Sequence, residues 1–428
     1  MTAALRQALD RTILLMRDEV DHQVSDEALL GALTDTNVAL VADVANLASH
    51  SAQSAFVTAA LVMARSGHRV HLIAPDVPLV GKQPPLQAHG IVSALLEIGL
   101  DLLPDVEFRT NRPRGNADIE LLMGNTSTID AAQLVVAADA GRWSARLSSE
   151  RGNPWANQAW PFGGMAAGTL LAVEGFKVAM RKLRQAAFNP ELFNAVFAPV
   201  KSVVFNLAPA SSPEAADLGE FDMVSGGAIV NALLYAVARI PGVSGHARVI
   251  DGDTNQESNL NRNALLVRSA LGSAKAISLA ALDLGGLKVD GVPLPYHSGT
   301  AAKLGKLAPR VLAGVDHIPA RWEIQRAALE WFGVGATSHW LAMASFHIPG
   351  LGCAGCLHPF DDPNDRPTPA VAFVSFWAGL MLAAYFARAA AGDALSAVHQ
   401  HVAMTPLRPE EPWCGPAPRR AVCPARTH

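Results

Sequence analysis

Cysteine is almost missing from this chain: four of 428 residues are Cys, and none precedes Cys353. Because Cys353, Cys356, Cys414 and Cys423 crowd into the last part of the sequence, a disulfide framework spread over the fold is excluded and one local site is indicated. The chain also lacks a Lys/Arg-rich block, and its net charge is -4. It therefore has no electrostatic footprint for a phosphate backbone, and nucleic acid is not an expected partner. The opening Met1-Thr2-Ala3-Ala4-Leu5-Arg6 soon meets Asp10, Arg11, Arg17, Asp18 and Glu19, which does not read as a signal peptide, so a cytoplasmic location is expected. Long apolar runs are scarce. The most hydrophobic, Ala370 to Phe386, contains Ser375 and lies between Pro369 and Arg388, short of the roughly 20 residues that span a bilayer. It reads as a buried helix, with no membrane partner expected.

What is present is the balance of a compact protein, with 50% hydrophobic and 17% charged residues. At roughly 100 to 200 residues per domain, a chain of this length reads as two units. Between Thr36 and Ala74 the pattern is strand (Val38 to Ala42), helix (Ser54 to Ser66), the stop Gly67, and strand (Val70 to Ala74), half of a Rossmann-like unit. Between Phe221 and Ile250 the order repeats: a short strand, Gly226-Gly227, a helix through Ala238, the break Pro241-Gly242, and a strand from Ala247. The Ala-rich helix opening at Phe162-Gly163-Gly164 and running to Lys182 has a counterpart in the Ala370 to Arg388 helix. Such a pattern fits either a duplication or two α/β domains that share a common plan. The segment Leu207 to Gly219, with Pro209, Ser211, Ser212 and Pro213, has linker composition. The expectation is an α/β fold of tandem Rossmann-like domains, 1–211 and 212–428.

The two copies differ where chemistry would sit. The first ends its second strand in Ile73-Ala74-Pro75-Asp76-Val77-Pro78, the second in Asp251-Gly252-Asp253 and a polar run through Asn263, with Lys275 beyond. A carboxylate at the carboxyl end of a parallel strand is where nucleotide-binding α/β folds hold a ribose, which suits Asp251. Asn259, Arg262 and Lys275 add an amide and two cations of the kind a triphosphate needs.

This run, Asp251-Gly252-Asp253, then Ser258-Asn259-Leu260-Asn261-Arg262-Asn263, then Gly272-Ser273-Ala274-Lys275, resembles the signature of the ThiF/MoeB/ubiquitin-activating enzyme superfamily, with the family's gaps between Asp251 and Asn259 and between Arg262 and Lys275. The resemblance is closest over residues 220 to 428. It implies an inactive adenylation-like N-terminal copy fused to an active C-terminal one. That arrangement resembles the ubiquitin activators and the bacterial activators of ubiquitin-like conjugation operons, including the BilD group with its antiviral role. The implied reaction is ATP-dependent adenylation of the C-terminal carboxylate of a small ubiquitin-like or sulfur-carrier protein ending in glycine, with a conjugating enzyme as a further partner. A sulfur-carrier or peptide adenylyltransferase, and an activator-like scaffold without turnover, are the alternatives.

By the same resemblance Gly226, Gly227, Asp251, Asp253, Asn259 and Asn263 hold the nucleotide, and Arg262 and Lys275 neutralise its phosphates. Asp316, after Arg310-Val311-Leu312-Ala313-Gly314-Val315, would hold magnesium. Arg11, in Leu9-Asp10-Arg11-Thr12-Ile13, would reach from the silent copy into the active site. The loop Ser225-Gly226-Gly227-Ala228-Ile229-Val230 departs from the family's Gly-x-Gly-x-x-Gly at Ser225 and Val230, both of which would crowd it. Cys353-Ala354-Gly355-Cys356 would supply half of a structural zinc site, with Cys414 and Cys423 as the other half and His428 as a substitute for Cys414. Buried thiols without metal and a redox pair are the other readings. Thr368 stands near the place where some relatives carry a nucleophilic Cys, so adenylation alone is implied.

Overall fold

Residues 2–113, 117–328, 330–360 and 368–425 are described by a computed structural model. In the first half, strands β1 (Asn37–Val41), β2 (Arg69–Ile73), β3 (Phe108–Arg109), β4 (Ile119–Met123), β5 (Val135–Ala140), β6 (Ser144–Ser148) and β7 (Ser202–Asn206) form one sheet in the order β3-β2-β1-β4-β5-β6-β7. In the second, β8 (Asp217–Val224), β9 (Ser244–Ile250), β10 (Gly286–Val292), β11 (Arg310–Ala313), β12 (Trp331–Ser338), β13 (Leu341–His347), β14 (His401–Met404) and β15 (Trp413–Gly415) follow the order β10-β9-β8-β11-β12-β13-β14-β15. Apart from β15 the two orders are the same. Each sheet is parallel through its first five strands and antiparallel beyond. The parallel strands read as continuous apolar runs because both faces are covered, as in Val38-Ala39-Leu40-Val41, which is buried throughout.

The same helix pair backs each sheet. His50–Arg65 packs on Phe162–Arg181, and Ala228–Val237 packs on Ala372–Ala390. Both contacts depend on a missing side chain: a Cβ on Gly168 would stand 2.2 Å from the Ala55 carbonyl oxygen, and one on Gly379 2.4 Å from that of Ile229. Either substitution would force the helices apart. Helices from both halves contribute to one continuous core.

Two helix boundaries differ from the sequence reading for identifiable reasons. The helix expected from Ser54 starts at His50, because Ser49 caps it by accepting the Ala52 N–H at 3.2 Å. The last long helix starts at Ala372, not Ala370, because the Ala370 backbone is engaged elsewhere: its N–H donates to the Arg11 carbonyl at 3.1 Å and its carbonyl accepts from the Thr12 hydroxyl at 3.2 Å. By length and composition Ala372–Ala390 could cross a membrane, yet 94% of its apolar window is buried inside the protein. It is a core helix.

Candidate functional site

Three neighbouring parallel strands, β9, β8 and β11, end at one open cleft of about 820 Å³. After β8 the chain turns through Ser225 and Gly226 into the helix Ala228–Val237. Ser225 takes φ 99°, a left-handed value that favours glycine. Its Oγ accepts the Gly227 N–H at 2.9 Å, so the hydroxyl helps to hold the backbone shape that glycine adopts freely. Val230 faces the core and is fully buried. Neither departure from the glycine pattern blocks the turn.

Asp251 follows β9 and is 8% exposed. Its carboxylate accepts the Gly226 N–H at 2.5 Å and the Asp253 N–H at 2.7 Å, which ties the glycine turn to the acidic loop. Asp253 is exposed and pairs with Lys275 Nζ at 2.8 Å. Asp316 follows β11 on the opposite side of β8, and the turn before it is braced by Arg321, whose Nε and Nη2 donate to the Val315 carbonyl at 3.0 and 2.8 Å. Burial lowers the Arg321 pKa, while the Asp316 charge acts to raise it.

The polar run after Asp253 forms turns rather than regular structure. Asn259 closes a capping box by accepting the Gln256 N–H at 3.0 Å. Arg262 donates to the Ser258 carbonyl and, at 2.9 Å, to Asn261 Oδ1. Its pKa is held down to about 10, first by burial and then by the neighbouring Arg11 charge, with Asp10 and Asp316 acting the other way. It stays protonated at neutral pH. Asn263 Nδ2 is buried without a hydrogen-bond partner, an unspent donor beside the cleft.

The cleft is lined by Arg11, Gly227, Asp251, Asp253, Asn259, Arg262, Asn263, Lys275 and Asp316. Gly226 underlies them: a Cβ there would come within 2.9 Å of Lys275 Cβ. Thr368 also lines the cleft, as do Pro295, Tyr296 and His297 from the loop after β10. Sequence reasoning passed over these last three, and also Asn231. Asn231 is buried in an otherwise apolar helix; its Nδ2 donates to the Gly226 carbonyl at 2.8 Å and its Oδ1 accepts the Leu265 N–H at 3.3 Å. A lone amide on a Leu/Val/Ile-rich helix was the available signal.

The strand ends of the first half are filled by their own chain. Asn46 Nδ2 donates to Asp43 and Asn125, each at 3.0 Å, and its Oδ1 accepts the Trp155 N–H at 3.0 Å. Asp76 caps the helix Ile91–Gly99 through the Val92 and Ser93 N–H groups at 2.8 and 3.1 Å.

The cysteines divide three to one. Cys353, Cys356 and Cys423 place their sulfurs within 4.8 Å of one another, a donor set suited to zinc. Cys414 is corrected: it lies on β15, opposite Val402, in a separate groove with Tyr385 and Arg388. The antiparallel ladder holds it there, away from the other three sulfurs. His428, the other expected fourth ligand, is outside the described residues.

No protein-family model matches the chain. Over 222 residues it is 29% identical to an uncharacterised protein, y4jF, of Sinorhizobium fredii (strain NBRC 101917 / NGR234), a match covering 51% of this chain and 40% of that protein. The chain thus spans about two fifths of that relative's length. Among solved structures it is similar to E. coli MccB with succinimide, at 18% identity over 48% of this chain and 66% of that one, TM-score 0.40. It is likewise similar to E. coli MccB with ATP, at 16% identity over 59% and 73%, TM-score 0.40. These likenesses are too slight to carry an activity across.

Proposed function

We propose that the chain is an ATP-dependent adenylating enzyme that activates the C-terminal carboxylate of a small ubiquitin-like or sulfur-carrier protein ending in glycine, in a bacterial-type ubiquitin-like conjugation pathway. The observation that supports this reading is the gathering, in one cleft at the carboxyl ends of β9, β8 and β11, of three cations and two carboxylates from distant parts of the chain: Arg11, Arg262, Lys275, Asp251 and Asp316. In this reading 1–211 is the catalytically silent copy and 212–428 the active one.

ATP is the substrate whose chemistry the groups match. Asp251 would take the ribose hydroxyls, and the glycine turn lets the triphosphate approach the backbone at the start of the Ala228–Val237 helix, where unpaired N–H groups favour an anion. A carrier carboxylate oxygen attacks the α-phosphorus. As the new oxygen–phosphorus bond forms, the bond to the β-phosphate's bridging oxygen breaks, pyrophosphate leaves with that electron pair, and an acyl-adenylate remains. Arg11, Arg262 and Lys275 offset the charge that builds on the phosphate oxygens, a fixed electrostatic contribution that costs no reorganisation at the moment of reaction. Magnesium would neutralise further phosphate charge when bound, and Asp316 is the residue that would hold it, since magnesium takes few protein carboxylates and completes its shell with phosphate and water. Zinc, held by Cys353, Cys356 and Cys423, would close the C-terminal segment onto the second sheet and take no part in the reaction. ATP–pyrophosphate exchange with candidate carriers ending in glycine tests the reading. Carrier-dependent exchange is expected, and its absence with every carrier, in a chain shown to bind them, would refute it.

A further inference from the structure

We infer that Arg65, a residue of the first half, is a positioning residue for the nucleotide loop of the second; the inference rests on the adenylation reading above. Arg65 is the last residue of the helix His50–Arg65 and is 1% exposed. Its Nη1 donates to the Leu260 carbonyl at 2.6 Å, and its Nη2 donates to those of Ala264 and Leu266 at 3.1 and 2.6 Å. These three carbonyls bracket Arg262 and Asn263 on both sides. Residues 260–266 form turns, so no strand or helix ladder satisfies those oxygens. One planar guanidinium joins carbonyls on both sides of the two residues that line the cleft.

The arrangement is costly, which is why it is informative. A fully buried cation loses its hydration. Burial brings the Arg65 pKa down to about 10, so the group is charged at neutral pH while its hydrogen bonds all go to carbonyls. An apolar side chain at the end of an Ala-rich helix would pack with no such cost; what the guanidinium adds is a fixed shape for the loop. Two further ties act on the same loop: Asn261 Nδ2 donates to the Thr12 hydroxyl at 2.9 Å, and Asn231 accepts the Leu265 N–H. Through Arg65 and Thr12 the first half therefore helps to set where Arg262 and Asn263 point, and Arg65 does so from outside the cleft. A lysine at position 65 keeps the charge but is a single point, unable to serve the carbonyls that Nη1 and Nη2 reach separately.

The test compares the 428-residue chain with its Arg65→Lys and Arg65→Gln variants at 25 °C, after circular dichroism establishes that each is folded. Three quantities are measured: carrier-dependent ATP–pyrophosphate exchange, ATP affinity by calorimetry, and amide hydrogen exchange. Expected for Arg65→Lys are a fall of about tenfold or more in exchange kcat with KM for ATP changed by less than about threefold, as for misplaced transition-state groups. Amide exchange over 259–266 should quicken while β8 and β9 keep their protection. A folded Arg65→Lys chain with unchanged kcat, or with unchanged protection over 259–266, overturns the inference and leaves the adenylation reading standing. Failure of both variants to fold also overturns it, by making Arg65 a residue of general stability. A wild-type chain that binds ATP but exchanges with no carrier sinks the adenylation reading instead, and the ATP affinity of Arg65→Lys then decides whether Arg65 shapes a nucleotide site. A wild-type chain that binds no ATP removes both.

Discussion

Arg11, from a helix near the start of the chain, lies close enough to Arg262 in the C-terminal half that its positive charge adds to burial in lowering the Arg262 pKa, and both side chains line the same cleft. Two like charges held together in an open cleft repel, and an anion bound between them would relieve that cost. Arg11→Ala should therefore reduce carrier-dependent exchange by at least about tenfold while weakening ATP binding less, the pattern of a contact that strengthens toward the transition state. Steady-state exchange alongside calorimetric ATP titration checks this. Equal loss in both would reduce Arg11 to a ground-state binding group.

Lys275 is paired with Asp253, but the Asp253 side chain is 74% exposed, so the pair contributes little to folding. Lys275→Ala should leave the melting temperature within a few degrees of wild type and lower exchange by at least about tenfold, or about 1.4 kcal/mol. Differential scanning fluorimetry and exchange assays on the same sample separate the two effects.

The sulfur cluster predicts one zinc per chain by elemental analysis. Cys353→Ser, Cys356→Ser and Cys423→Ser should each lose it and unfold at lower temperature, because metal affinity adds to folded-state stability. Cys414→Ser should keep the metal. Zinc loss in Cys414→Ser, or full zinc in Cys353→Ser, would contradict the three-to-one division.

His68 and His347 are buried, and burial brings each pKa down to about 4. A histidine near 6.5 in the unfolded chain and near 4 in the folded one makes the unfolded state bind more protons between those values. Stability is then fully present above about pH 6.5 and falls as pH drops toward 4, by up to about 3 kcal/mol per histidine. Urea unfolding at pH 7.5 and 5.0 should show the loss, and His68→Asn should show a smaller one. An identical pH slope in the variant would remove His68 from the account.

The lining of the cleft by Asp251, Asn259, Arg262, Asn263 and Lys275 was legible because these residues lie close together in sequence. The repeated strand–helix–strand order was legible for a similar reason: apolar runs and glycine stops are local signals. What was not legible depended on contacts across the chain. Arg65 reads as an ordinary basic residue in a last helical turn, and only the packing of one half on the other aims it at the carbonyls of Leu260, Ala264 and Leu266. Cys414 has the right residue type for a metal clip, but the β14–β15 ladder carries it elsewhere. Ser225 looks like an obstruction in the glycine loop, because its left-handed backbone and the use of its hydroxyl are conformational facts that no residue pattern encodes.

The central claim is that this cleft joins a carboxylate to the α-phosphate of ATP, and Asp316 and Arg262 are the residues on which it depends most. Both line the open cleft rather than the apolar core, so Asp316→Ala and Arg262→Ala should fold, although Arg262→Ala also gives up the hydrogen bonds to Ser258 and Asn261. The decisive measurement is carrier-dependent ATP–pyrophosphate exchange on these two variants beside the wild type. The account predicts exchange in the wild type and its loss in both variants, by about a hundredfold or more; near-wild-type exchange in either folded variant would contradict it.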